Sequence, residues 1–262
     1  MPHTLFTADR DGFAFVNYWT FDPAEVNAIC GAFVQATTGT ASVLDPFFGL
    51  LLLGGLNQKL KAAALRMLPA SYGLCGGMAF SALDYYNAGI ECPPCGTAPT
   101  RANADGTTMR SYLEKRQLDS LRDNLPRVLA WMAVLNWIPQ WWSFESGGPW
   151  LLSQTKGEWN RLKQSIDEGN PQPLALIGST ADPSHNHQVL AIGYDEAGDG
   201  TAVVDVYDMN CPGAEQTIQL DFRGPILQAV ESCPSADRGP LRGFICEKYF
   251  PATPPQVGDW TA

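Results

Sequence analysis

The chain has 262 residues, of which 45% are apolar and 17% charged, a composition that supports a packed core and excludes an extended disordered chain. Lysine and arginine total 17 against 27 aspartates and glutamates, and the resulting formal charge of -10 repels nucleic-acid phosphates and anionic membrane surfaces. The longest apolar run, residues 46–56, is about half of the ~20 residues that a membrane span needs, so stable membrane insertion is not expected.

The opening MPHTLFTADRDGF lacks the basic and apolar regions of a secretory signal, which leaves a cytoplasmic protein or a secreted one with its signal removed. Seven cysteines are an odd set, so at least one thiol stays unpaired within the chain.

In chain order, the aromatic and branched residues of 11–21 predict an extended segment, and Asp22 followed by Pro23 opens a helix over 23–36. Asp45 and Pro46 open a second helix that runs through KLKAAALRM, with a break near Gly54 and Gly55, and stops at Pro69. The polar turn 70–73 follows. Met78, Leu83 and Tyr86 then have helical spacing, which predicts a helix beginning at or next to Cys75 and stopping at Gly89.

Residues 91–107 are rich in Pro, Gly, Ala and Thr and read as an irregular loop. Within them Cys92 and Cys95 have redox or half-zinc spacing, but no second pair follows, so a loop disulfide or two unrelated thiols is the expectation. Asp182, His185 and His187 are too weak a set to predict a metal, and no cofactor is expected.

Helical spacing returns from Met109 to Val134, with a boundary at Pro126, and the tryptophans at 131, 137, 141, 142 and 150 are read as packing residues. A helix over 157–168 precedes strand patterns at 173–180, 186–196, 201–210 and 243–250, two of them joined by the hairpin loop EAGDGT. The fold class is therefore α+β: a mainly helical half, 1–170, and an antiparallel half, 171–262, with a cleft between them.

A cysteine attacks as its thiolate, and an ordinary thiol with a pKa of about 8.5 needs a helix N-terminus or a nearby imidazolium to ionise at neutral pH. Cys75 stands at a turn-to-helix junction among Gly73, Gly76 and Gly77, where the helix dipole favours negative charge and missing side chains admit a substrate backbone. His185 and His187 are the histidines beside a strand, the third being His3.

G-L-C-G-G-M-A-F at 73–80, followed far downstream by H-Q-V-L-A-I-G-Y at 187–194, resembles the nucleophile and histidine blocks of papain-like cysteine proteases. The resemblance implies a papain-like fold with Cys75 as nucleophile and His187 as base. It also implies a polar residue at the end of the next strand that orients the imidazole. Asp208 fills that place, with Asn210 as the runner-up on the same face, while Asp205 points the other way.

The family's glutamine, six positions before the cysteine, is replaced by Pro69, and the aromatic residue after the cysteine by Gly76. Oxyanion donors then have to come from the backbone of Cys75 and from Ser71, Tyr72 or a residue such as Gln58. The reaction so implied is attack on a peptide, amide or thioester carbonyl through an acyl-enzyme, ending in hydrolysis or in acyl transfer. A non-catalytic binding protein on the same scaffold is the rival from another class.

Overall fold

The computed structural model describes residues 1–20, 71–93, 96, 98–99, 108–136, 147–179, 185–233 and 240–256. The helices expected over 23–36 and 46–68 lie outside these residues, as do Gln58, Pro69, Cys95, Asp182 and the tryptophans at 137, 141 and 142. What is described is an α+β arrangement of three long helices and an antiparallel six-stranded sheet.

Elements follow in the order β1 (Trp19–Thr20), β2 (Ser71–Tyr72), α1 (Cys75–Ala88), α2 (Met109–Asn136) and α3 (Gly147–Asp167). The sheet strands are β3 (Gln172–Gly178), β4 (His187–Glu196), β5 (Thr201–Tyr207), β6 (Gln216–Asp221), β7 (Gln228–Glu231) and β8 (Leu241–Cys246). The sheet order is β7-β6-β5-β4-β3-β8, so β4, which begins with His187, is central and buried on both faces.

Alternation along β4 divides the core. Leu190 and Ile192 pack with Cys75, Met78, Ala79 and Ala82 of α1, whereas Val189 and Ala191 pack with Leu152, Trp159, Leu162 and Ile166 of α3. Because α1 is buried from Cys75 to Tyr85, it needs no polar face, and its run CGGMAFSALDY is apolar or small almost throughout. It ends where expected: Gly89 adopts φ 66°, and the N–H groups of Gly89 and Ile90 return to the carbonyls of Tyr86 and Tyr85.

The helix is held at its far end as well. Asp84 accepts from the Tyr249 hydroxyl (2.6 Å), the Ala252 N–H (2.8 Å) and the Tyr112 hydroxyl (2.8 Å), and it pairs with Arg116 at 2.7 Å. These bonds tie α1 to α2 and to the segment after β8. A carboxylate buried this deeply has its pKa raised by desolvation, although its donors oppose the shift.

Several boundaries differ from the sequence expectation. Of the segment 11–21, the described residues 11–20 are mostly turn and irregular backbone, with a strand only at Trp19–Thr20, because residues 1–18 pack onto the sheet instead of pairing as one strand. Thr4 N–H donates to Ile192 O, Tyr194 N–H to Pro2 O, and Phe13 N–H to the Tyr207 hydroxyl. The helix α2 continues through Pro126, and α3 starts at Gly147 rather than 157. β6 and β7 had no counterpart in the sequence reading.

Cys211 and Cys233 form a disulfide that joins the turn after β5 to the end of β7. Cys92 is a free, buried thiol, which rules out a bond to Cys95. Trp131 is buried and meets Trp150 edge-on at 6.0 Å, the packing role expected of them. No helix among the described residues is long and apolar enough to cross a membrane.

Candidate active site

Cys75 is the first residue of α1, after an N-cap at Leu74 that supplies no capping side chain. No described residue accepts from the backbone N–H groups of Cys75 or Gly76, so the first turn keeps donors of the kind that stabilise a developing oxyanion. The Gly77 N–H is already used, donating to Gln117 Oε1 at 3.0 Å.

The glycines around the cysteine answer a packing demand from the protein itself. A Cβ on Gly76 would collide with Gln188 and Ser120, one on Gly77 with the Leu113 carbonyl of α2, and one on Gly73 with the Asn17 amide. The space that was expected to admit a substrate backbone is thus filled by neighbouring chain. Ser71 and Tyr72 form the short strand β2, paired through Thr20↔Ser71 and Trp19↔Tyr72, which leads directly into the nucleophile turn.

The base is held from the next strand. His187 Nε2 lies 2.8 Å from Asp208 Oδ1, and both side chains are almost fully buried. The same oxygen accepts the Asn210 N–H at 2.8 Å, and the Asp208 carbonyl accepts the Cys211 N–H at 2.9 Å. Asp208 therefore ends β5 by forming a turn with its own side chain, a habit of aspartate, and uses that fixed carboxylate to orient the ring.

Asn210, the runner-up, places its Nδ2 3.3 Å from the same ring nitrogen. The short contact to a carboxylate, which only accepts, assigns the Nε2 proton to Asp208. The Asn210 amide nitrogen, itself a donor, then only packs beside the ring and makes no hydrogen bond to it.

The Cys75 thiol donates to Gln188 Oε1 at 3.7 Å, and among the described hydrogen bonds none joins it to the His187 ring. That partner is the chain neighbour of the base, since Gln188 follows His187 at the start of β4, and both side chains are buried.

Behind the thiol lies a buried polar chain that the sequence reading missed. Gln188 Oε1 also accepts from Gln117 Nε2 at 3.3 Å, and Gln188 Nε2 donates to Glu247 Oε1. Burial pushes the Glu247 carboxyl up to about 8, against smaller opposing contributions from Gln188 and Arg127. Burial also pushes the Cys92 and Cys246 thiols well above their ordinary value, which makes both inert towards mild alkylation.

Asn17 was missed too: its Oδ1 accepts from the Leu74 N–H at 2.6 Å, and its Nδ2 donates to Asn210 Oδ1 at 3.2 Å. For these residues the available signal was a polar side chain inside an otherwise apolar run, Asn17 in FVNYW, Gln188 in HQVLAI and Glu247 after GFIC. Comparison with protein-family models, with curated proteins and with solved structures finds no match to this chain in any of the three.

Proposed function

We propose that this chain is a cysteine-dependent hydrolase of papain-like type, acting on a peptide or other amide carbonyl through Cys75, His187 and Asp208. The observation that carries the reading is a cysteine at the N-terminus of a buried helix, bonded to the residue next to a histidine that an aspartate grips at 2.8 Å. With the Nε2 proton committed to Asp208, the neutral ring has its lone pair on Nδ1, the nitrogen suited to take the thiol proton.

In this mechanism the Cys75 side chain rotates about its Cα–Cβ bond from Gln188 to His187 and gives up its proton. The thiolate attacks the carbonyl carbon, and the backbone N–H groups of Cys75 and Gly76 receive the oxyanion. Imidazolium His187 then protonates the leaving amine, and water resolves the acyl-enzyme. Asp208 stabilises the imidazolium throughout and stays ionised. A reaction with an acceptor other than water gives acyl transfer from the same machinery.

The bond from the thiol to Gln188 favours a second reading, a binding protein that keeps the scaffold with its thiol at rest. The disulfide fits an oxidising compartment and hence a secreted protein better than a cytoplasmic one.

Alkylation by iodoacetamide at pH 6, with the modified peptide identified by mass spectrometry, separates the two readings. An ion-paired Cys75 is labelled, and His187→Ala abolishes the labelling. A Cys75 that stays unlabelled at pH 6 in the folded parent protein sinks the hydrolase reading in favour of the binding protein.

A further inference from the structure

The nucleophile and the base come from distant parts of the chain, and one side chain outside the proposed triad reaches both. Asn17 Oδ1 accepts from the Leu74 N–H, in the residue before the nucleophile, and from the Trp19 indole N–H at 3.3 Å. Two donors on one atom assign it as the amide oxygen, so the nitrogen is the atom that faces Asn210. There it donates to Asn210 Oδ1, which turns the Asn210 nitrogen towards the His187 ring.

The backbone is tied at the same point, since the Asn17 N–H donates to the Met209 carbonyl at 2.9 Å. Gly73 completes the fit, because any side chain there would occupy the position of the Asn17 amide. Residue 17 is thus fastened to the 208–210 turn by main chain and side chain and to the nucleophile turn by its side-chain oxygen.

We infer that Asn17 is a positioning residue: it sets the nucleophile turn at a fixed separation from the His187 ring, acting through Leu74 on one side and, on the other, through the 208–210 turn that carries Asp208, the residue holding the ring. The inference rests on the reading of Cys75 and His187 as nucleophile and base. Its physical basis is that a displacement of about 1 Å between reacting groups can cost about 10²-fold in rate, and among the described residues no covalent link shorter than the intervening chain joins these two turns.

The test uses the full chain with Asn17→Ala and Asn17→Asp. The aspartate keeps an acceptor for the Leu74 N–H but opposes Asn210 Oδ1 with a second acceptor, so it cuts the link on one side only. Iodoacetamide alkylation of Cys75 is followed from pH 5 to 9, and the His187 ring is titrated by nitrogen-15 NMR.

Both variants are expected to lose about tenfold or more in Cys75 alkylation at pH 6, with the pH profile displaced towards that of an isolated thiol. The His187 titration is expected to move as well. Asn210→Ala is expected to produce the same loss, and the double variant Asn17→Ala with Asn210→Ala no further loss, because the two act in series.

If Asn17→Ala does not fold, Asn17→Asp carries the test, since it retains the bond to the nucleophile turn. A reactive parent with variants whose pH profile and His187 titration are unchanged overturns the role of Asn17 alone. A parent whose Cys75 is inert at pH 6 overturns the enzymatic reading and this inference with it.

Discussion

His187 meets Asp208 through Nε2 at 2.8 Å, and the carboxylate oxygen that holds the ring also closes the turn that carries it, by accepting the Asn210 N–H. Orientation of the ring and geometry of the turn are therefore set by one atom. The two contributions separate by substitution, because an amide keeps an oxygen for the turn and loses the charge that favours imidazolium.

Asp208→Asn is accordingly expected to fold normally while Cys75 alkylation at pH 6 drops roughly 10- to 100-fold, each factor of ten corresponding to about 1.4 kcal/mol of lost ion-pair stabilisation. Asp208→Ala removes the turn acceptor too, and adds a loss of folding stability of about 1 kcal/mol that the asparagine variant does not show. Labelling rates and chemical denaturation, measured on both variants, check the pair. Equal reactivity of Asp208→Asn and parent excludes an electrostatic role for Asp208.

Gly77 makes a prediction about stability. Alanine is ordinarily the better helix former by about 1 kcal/mol, yet here its methyl group would meet the Leu113 carbonyl of α2, a backbone atom that cannot swing aside. Gly77→Ala is expected to destabilise the fold by roughly 1 to 3 kcal/mol net through overpacking between the helices. Urea denaturation measures it, and a variant as stable as the parent shows that α1 and α2 are less closely seated than described.

What was legible in the sequence follows a physical division. Helix α1 and strands β3, β4, β5 and β8 have strong apolar periodicity or clear stops, such as Gly89 with its left-handed backbone, and each was read within a few residues. Strands β6 and β7 escaped because they are half solvated, β7 at the sheet edge and β6 beside it: QTIQLD and QAVE carry too few apolar residues to stand out. The contact between His187 and Asp208 was expected from the resemblance, which sets a histidine at a strand start and a polar partner at the next strand's end. Gln188, Glu247 and Asn17 act across separations of 57 to 193 residues, and no local pattern encodes which distant polar atom each will meet.

The disulfide extends the same site. Cys211 follows Asn210 directly, and its bond to Cys233 closes a loop with a sequence separation of 22. Loop-closure entropy for a link of that length gives a stabilisation of about 3 kcal/mol, so Cys233→Ser is expected to lower the denaturation midpoint by a corresponding amount. Because the 208–211 turn loses one of its anchors, the variant is also expected to show faster hydrogen exchange at Asn210 and Cys211 than at β4. Uniform exchange across both regions argues that the bond stabilises the fold without supporting the turn.

Glu247 gives the pH dependence. Its ordinary value of 4.5 rises to about 8 in the fold, so between these limits the unfolded chain is ionised at this residue while the folded one holds a proton. The folded state then binds more protons, and stability falls as pH rises, with a slope of at most ~1.4 kcal/mol per pH unit from this group. The stabilisation of the neutral form is complete below about pH 4.5 and gone above about pH 8. Glu247→Gln keeps an oxygen for Gln188 Nε2 and cannot ionise, so its stability measured from pH 5 to 8 is expected to lack this slope and to exceed the parent's increasingly towards pH 8. Other titrating groups cancel in the difference between the two proteins. Parallel curves would mean that Glu247 is ionised in the fold at neutral pH, held by the Arg127 charge more strongly than burial opposes it.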